Sequence, residues 1–542
     1  MTRNDRGFLL GIAALIAVLY ALPLIQGYCR YRTLIHVFYP DEAYYAARIL
    51  DASRGGSLGN PYLAGHDEAP RYLPEATERA IALVSRALHF DPLTMLAACR
   101  VALPLLLFLA LARLGRALGL QDRIAILAAA SVPLFPPILT LLQPPGAGRH
   151  GFLRLFRSLS PVAHMLLLVL ALIALLKVWQ RPSIRGVFAA GLLMGVLFYT
   201  PIYYWSFAIG GTLLLALIDG KESRTSLFGC VVIALLIGLP QLIHSRQLMS
   251  VPEVRETLAR WSLMVPGRWP EMDVPRRFVE NMAVLGLLWL GRHRLGASGR
   301  FLFAFCLAGE VLLIQNAVTN RQIQAFHFMH CLFLMWPLAV ALVWQKSGGR
   351  TPSVKALASL TAILLLGGTL VQLIAFANWE EWRDETPGLY TLDLVMPRTL
   401  RWLNEHTPPG SVIVAPEEVM ASLPLFTHNK VYWTRYAGQH VLSDREVEIR
   451  WMDAARWLEN PAQRLHYQAD FDLLPRRSCA TSTGILYRDD AEGTCIVPRR
   501  IPPLMAQERG VGEHSGSGGA RRRVDVVLCT EHFDVHPVHS RR

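Results

Sequence analysis

The stretch Tyr39-Pro40-Asp41-Glu42-Ala43-Tyr44-Tyr45-Ala46-Ala47-Arg48 places two adjacent carboxylates, three tyrosines and an arginine close together. Proline suits the first turn of a helix and acids suit the positive end of its dipole, so a helix opening at Pro40 is expected. At 3.6 residues per turn Asp41, Tyr45 and Arg48 share one face, while Glu42 turns away beside Ala46 and Ile49. One carboxylate can then face a site and take a proton from a hydroxyl while the other holds the segment. A plain acidic first turn capping a surface helix fits the spacing equally well.

Basic groups complete the candidate chemistry. Residues 148–161 carry Arg149, His150, Arg154 and Arg157. If this stretch is helical, Arg154 and Arg157 share a face, and two guanidinium groups can fork around phosphate oxygens. Headgroup anchoring by snorkelling arginines is the alternative. Residues 320–327 add Arg321 and His327, which could reach a phosphate or an acceptor, or simply belong to a turn. Tyr199, Tyr203, Tyr204 and Trp205 flank Thr200-Pro201 as an aromatic belt or a sugar-stacking platform.

These residues need elements to hold them. Of 542 residues, 52% are hydrophobic and only 18% charged, well under the quarter usual for a soluble domain. Apolar runs at about 8–25, 93–114, 124–142, 162–179, 187–200, 202–218, 227–243, 278–290, 301–318, 328–344 and 356–376 predict about eleven transmembrane helices. The first is read as an uncleaved span, because no small-residue cleavage site follows it.

With the N-terminus in the cytoplasm, every inner connection is basic: Arg113, Arg116 and Arg123; Lys177, Arg181 and Arg185; Lys221 and Arg224; Arg292, Arg294 and Arg300; Lys346, Arg350 and Lys355. Segments 26–92, 143–161, 244–277 and 319–327 then lie outside, with everything after residue 376. The loop 244–277 is basic against the rule, and its stretch 253–265 suggests an interfacial amphipathic helix. Within the spans, Glu310 and His164 are ionisable groups at depth, while Arg100 is close enough to an end to snorkel outward.

After residue 376 short strands and helices alternate, predicting a small extracytoplasmic α/β domain over 377–506: a strand at 411–415, a helix at 417–423, a strand at 430–433 and an amphipathic helix at 443–459. Residues 507–542 read as a disordered tail. Cys479 and Cys495 bracket an expected strand in the exported domain, where a disulfide could form. No metal-ligand spacing and no phosphate-cradling glycine motif occurs, so no metal site is assigned. The formal charge of +13 falls mostly in the inner connections and the tail, and gives no reason to expect nucleic acid.

A first span followed by an outer DE-x-x-Y stretch, ten or more helices and an outward C-terminal domain resembles the GT-C class of polyprenyl-phosphate-sugar-dependent glycosyltransferases. The likeness is to the protein O-mannosyltransferase and aminoarabinose lipid A transferase branch. It implies an inverting enzyme of the inner membrane, moving a hexosyl or pentosyl group from a polyprenyl-phosphate donor to an acceptor hydroxyl of a glycan, lipid or protein.

On that resemblance Asp41 would be the general base or acceptor-orienting group, and Glu42 its support or a metal ligand. Arg149, Arg154, Arg157 and Arg321 would hold the donor phosphate, and Tyr45, Tyr204 and His327 the sugar or acceptor. Some branches of the class use a divalent cation, so one is possible here. A transporter or flippase of lipid-linked sugars is the rival reading, although the chain shows no internal repeat.

Overall fold

A computed structural model describes residues 2–31, 34, 40–141, 157–219, 221–261, 263–267, 274–347, 397–415, 417–434, 436–457, 488–489, 495–496, 526–529 and 535–538. The expected span at 356–376, Cys479 and most of the tail lie outside these residues, as do Arg149, His150 and Arg154. The helices are α1 (Arg3–Tyr31), α2 (Pro40–Ser53), α3 (Ala76–Leu88), α4 (Pro92–Ala117), α5 (Asp122–Leu141), α6 (His164–Gln180), α7 (Ile184–Val196), α8 (Ile202–Ile218) and α9 (Lys221–Leu248). After these come α10 (Pro252–Arg260), α11 (Val274–Leu290), α12 (Arg292–Leu313), α13 (Gln315–Thr319), α14 (Phe328–Lys346), α15 (Pro397–His406), α16 (Glu417–Phe426) and α17 (Asp444–Trp457).

Among the described residues six helices are long and apolar enough to cross a membrane: Arg3–Cys29, Pro92–Ala117, Leu159–Gln180, Ser223–Leu248, Arg292–Leu313 and Phe328–Lys346. Two shorter apolar helices, Ile184–Tyr199 and Ile202–Ile218, meet at the expected break. The chain turns there through a 3-10 segment, Leu197–Tyr199, and Pro201, which cannot continue a helix, precedes α8. The expected spans at 124–142 and 278–290 correspond to α5 and the second part of α11.

The break matters for the direction of everything after it. A Cβ at Gly191 or Gly195 of α7 would fall 2.7 Å or 2.6 Å from the Cβ of Ile233 or Ile237 on α9. The matched spacing of four means that α7 and α9 run parallel, with α8 returning between them. Where lipid is as apolar as leucine, close backbone approach through small residues is what holds helices together.

Two opposite faces result. On one, Arg123 pairs with Asp5 at 2.8 Å, Gln121 NH donates to Gln345 Oε1, and Trp179 and Arg300 both reach Asp219. The other gathers α2, α3, α10, the turn before α14 and the C-terminal residues. There β1 (Val265–Pro266) pairs antiparallel with β2 (Arg321–Gln322).

The C-terminal sheet has the order β4-β3-β7-β8, from β3 (Val412–Val414), β4 (Lys430–Val431), β7 (Val526–Cys529) and β8 (Val535–Val538). A separate antiparallel pair joins β5 (Arg488–Asp489) to β6 (Cys495–Ile496). Leu63 of the first loop bridges to Val431, and Val431 NH donates to the Tyr62 carbonyl, so the first loop is bonded to the edge of the C-terminal sheet.

Filling the glycine notch tests this packing. Gly195→Leu should lower the unfolding temperature in detergent, because overpacking a tight contact costs about 1–3 kcal/mol. Gly286→Ala, where an added Cβ meets nothing within 4 Å, should leave stability unchanged or raise it.

Candidate functional site

The site is built around α2. The backbone of Asp41 lies in its first turn; the side chain is outside the described set. The apolar positions Ala43, Tyr44, Ala46, Ala47, Ile49 and Leu50 are all buried, so the helix is packed nearly all round. Its charged side chains therefore need partners inside the protein.

Glu42 finds one in Arg100 of α4. The Arg100 Nη2 lies 2.9 Å from Glu42 Oε2 and the Nε donates to Oε1 at 3.3 Å, with both side chains almost fully buried. This two-point pairing occupies both Glu42 oxygens. The pair ties α2 to α4, and Arg100 turns inward to Glu42 instead of snorkelling outward.

Arg48 makes the second tie. Its Nε lies 2.8 Å from Glu78 Oε1 on α3, and its Nη1 donates to the Tyr44 hydroxyl at 3.1 Å. Nη2 donates to the carbonyls of Leu73 and Pro74.

Above these ties Tyr45, half-buried, stands edge-on to Tyr44 with ring centroids 5.4 Å apart. Tyr45 and Arg157 both lie within electrostatic reach of the Tyr204 hydroxyl. Tyr204 also packs on His164 at 5.3 Å, and His164 Nε2 lies 3.0 Å from Thr77 Oγ1 of α3. Thr77 has no distinguishing sequence signal; only the fold brings it here.

His327 reaches the same helix one residue away. Its ring lies 4.7 Å from that of Tyr203, whose hydroxyl donates to the Ile323 carbonyl at 2.8 Å. Arg321 is exposed on β2, with Nη1 3.3 Å from Met264 Sδ. Among the described residues no three His, Cys, Asp or Glu side chains converge as a metal set.

The C-terminal residues close over the loops. Tyr72 donates to the Gln439 carbonyl, Asn60 to Ala437, and Trp261 to Gly438. Gln324 donates to the Trp261 carbonyl. The helix α10, read from sequence as interfacial, instead buries Val254, Thr257 and Arg260, and Arg260 binds Asp444 and the Leu442 carbonyl. A fully enclosed arginine is better satisfied by a carboxylate and carbonyls than by a membrane surface.

His440 sits at the centre of this closure. Its Nδ1–H donates to the Gly59 carbonyl at 2.7 Å and its ring packs on Tyr44 at 4.7 Å. Burial first, then the charge of Arg48, hold its pKa well below the usual histidine range, with Lys430 adding to the effect and the Gly59 bond opposing it. Burial likewise raises the Tyr44 hydroxyl.

No protein-family model and no curated protein sequence matches the chain. Solved structures do, and three of those to which it is similar are glycosyltransferases. One is the Archaeoglobus fulgidus oligosaccharyltransferase tethered with an acceptor peptide containing the NVT sequon, at 13% identity and TM-score 0.45, covering 85% of this chain and 68% of that one. Another is the same organism's oligosaccharyltransferase in complex with an inhibitory peptide and a dolichol-phosphate, at 12% identity and TM-score 0.47, covering 86% and 69%. A third is the arabinofuranosyltransferase AftD from Mycobacteria, at 17% identity and TM-score 0.41, covering 77% of this chain and 30% of that one. At these identities and scores the activity has to be argued from the residues themselves.

Two outcomes follow from the buried charges. Glu42→Gln should cost about 3–5 kcal/mol of stability by leaving Arg100 uncompensated, and Glu42→Leu with Arg100→Met should cost less than either single change. Thermal unfolding in detergent measures both. For His440, the unfolded chain takes up a proton near pH ~6.5 while the folded chain resists it, so stability is full above that pH and falls below it. Protection factors at residues 59–63, with the intrinsic pH dependence of exchange divided out, should fall as pH drops below ~6.5 in the parent. His440→Asn, which keeps a donor for Gly59, should show a flatter response.

Proposed function

We propose that the chain is a membrane glycosyltransferase that takes a sugar from a polyprenyl-phosphate donor and passes it, with inversion, to an acceptor hydroxyl. The observation that carries this reading is the fixing of the helix that bears Asp41 by two buried ion pairs, Glu42 to Arg100 and Arg48 to Glu78, with Tyr45 one turn along it and Arg157 both within electrostatic reach of Tyr204. Aromatic faces suit a sugar ring, a guanidinium suits a phosphate, and a carboxylate suits the remaining proton. The donor's tail must stay in the bilayer, which agrees with a site where outer loops meet span ends.

In the reaction, the acceptor oxygen attacks the anomeric carbon from the side opposite the phosphate. The bond from that carbon to the phosphate oxygen breaks, and its electron pair leaves with polyprenyl phosphate. Asp41 takes the acceptor's proton, and Arg157 stabilises the charge that develops on the departing phosphate. Glu42 and Arg48 work at one remove, by fixing α2 against α4 and α3. Oligosaccharyltransferase and arabinofuranosyltransferase are the named activities of the similar structures; sugar and acceptor here are open to the assay.

Purified protein with lipid-linked sugar donors, assayed for release of polyprenyl phosphate, tests the reading. Asp41→Asn should lower turnover by about 10²-fold or more, the size of a lost general base. Arg157→Gln should weaken donor use by about tenfold or more, since a bond to a charged group contributes about 1.5–3 kcal/mol. Undiminished turnover in Asp41→Asn removes that residue from the chemistry.

A further inference from the structure

The helix α3 divides its circumference three ways. Glu78, Ile81, Ala82 and Ser85 face the protein and are buried. On the far side Ala80, Leu83, Val84, Ala87 and Leu88 form a continuous exposed stripe, at 100° per residue a sector about 140° wide. Leu83 is 60% exposed, Val84 46% and Leu88 56%, and Phe90 beyond the helix end is 57% exposed. Arg79 and Arg86, both exposed, border the stripe along one edge.

An apolar stripe edged by arginines is the pattern of a helix lying in a membrane interface. The position agrees. His89 ends α3 in a left-handed turn at φ 56°, Ser85 Oγ donates to the Phe90 carbonyl, and Asp91 caps the span α4 by accepting from Thr94 NH. Only Asp91 separates Phe90 from Pro92, the first residue of that span. The exposed stripe therefore lies where the chain enters the apolar layer, continuous with a membrane-spanning surface.

We infer that the exposed face of α3 is a lipid-docking surface, seated in the leaflet on the loop side with Leu83, Val84, Leu88 and Phe90 among acyl chains. Arg79, paired with Glu75 at 3.1 Å, and Arg86 lie at headgroup level. The opposite face of the same helix carries Glu78, which holds Arg48, and Thr77 in its first turn lies 3.0 Å from His164. The leaflet thus bears on α3, and α3 bears directly on the ties that position α2. Lipid contact sets the height of the candidate site relative to the bilayer, which is where a lipid-borne phosphate has to arrive.

The test needs no transfer activity, so it stands apart from the proposed function. The full chain in phospholipid nanodiscs carries a benzophenone amino acid in place of Leu83, Leu88 or, as reference, the exposed loop residue Glu68. After irradiation, mass spectrometry should find a shift of one phospholipid on the peptides bearing positions 83 and 88, and none at 68. Val84 serves as a third site should either variant fail to insert. Absence of lipid adducts at all stripe positions, equal labelling at 68, or adducts to a second copy of the chain instead of lipid would overturn the inference.

Discussion

A charge that cannot reach water must meet its opposite, and α2 carries two such charges within seven residues. Glu42 is satisfied by Arg100 of α4, and Arg48 by Glu78 of α3. The pairs point in different directions, so together they fix both the depth and the rotation of the helix. Buried ion pairs are poor sources of net stability, because desolvation offsets much of their attraction. Their value here is in excluding alternatives: any slip of α2 by one residue would leave two arginines uncompensated.

Around that constraint the loops assemble in layers. The α3 helix rests against α2 and α4, and the C-terminal segment from Ala437 to Leu442 accepts hydrogen bonds from Asn60, Tyr72, Trp261 and Arg260. These donors come from three separate stretches of chain. Backbone carbonyls of one short segment therefore collect the outer loops, and His440 threads back to Gly59. Neutral histidine suits such a place, since a second cation beside Arg48 would strain the junction.

Much of the scaffold is legible along the chain because its signals are local. Apolar runs mark the spans, Pro40 and Pro92 open helices, and Thr200-Pro201 breaks one span into two. The short strand at Val412–Val414 and the helices at Glu417–Phe426 and Asp444–Trp457 fall close to where alternating and helical patterns indicate. Less legible are residues whose meaning depends on a partner far away. Arg100 near a span end has the look of a snorkelling residue, until Glu42 arrives from 58 positions earlier. The basic, amphipathic α10 has the look of a membrane-surface helix, until Asp444 gives Arg260 a counter-charge. The helix that does present an apolar stripe bordered by arginines is α3.

By itself the sequence determined a membrane-embedded helical chain, a helix beginning at Pro40 with its acids in the first turn, and the break that sets the direction of later helices. Those follow from hydrophobic run length and backbone stereochemistry, which act over a few residues. Only the tertiary structure decided that Glu42 pairs with Arg100 and Arg48 with Glu78, and that His164 lies against both Thr77 and Tyr204. Such choices are settled by which buried charges and donors find complements across the fold, and no local pattern encodes that pairing.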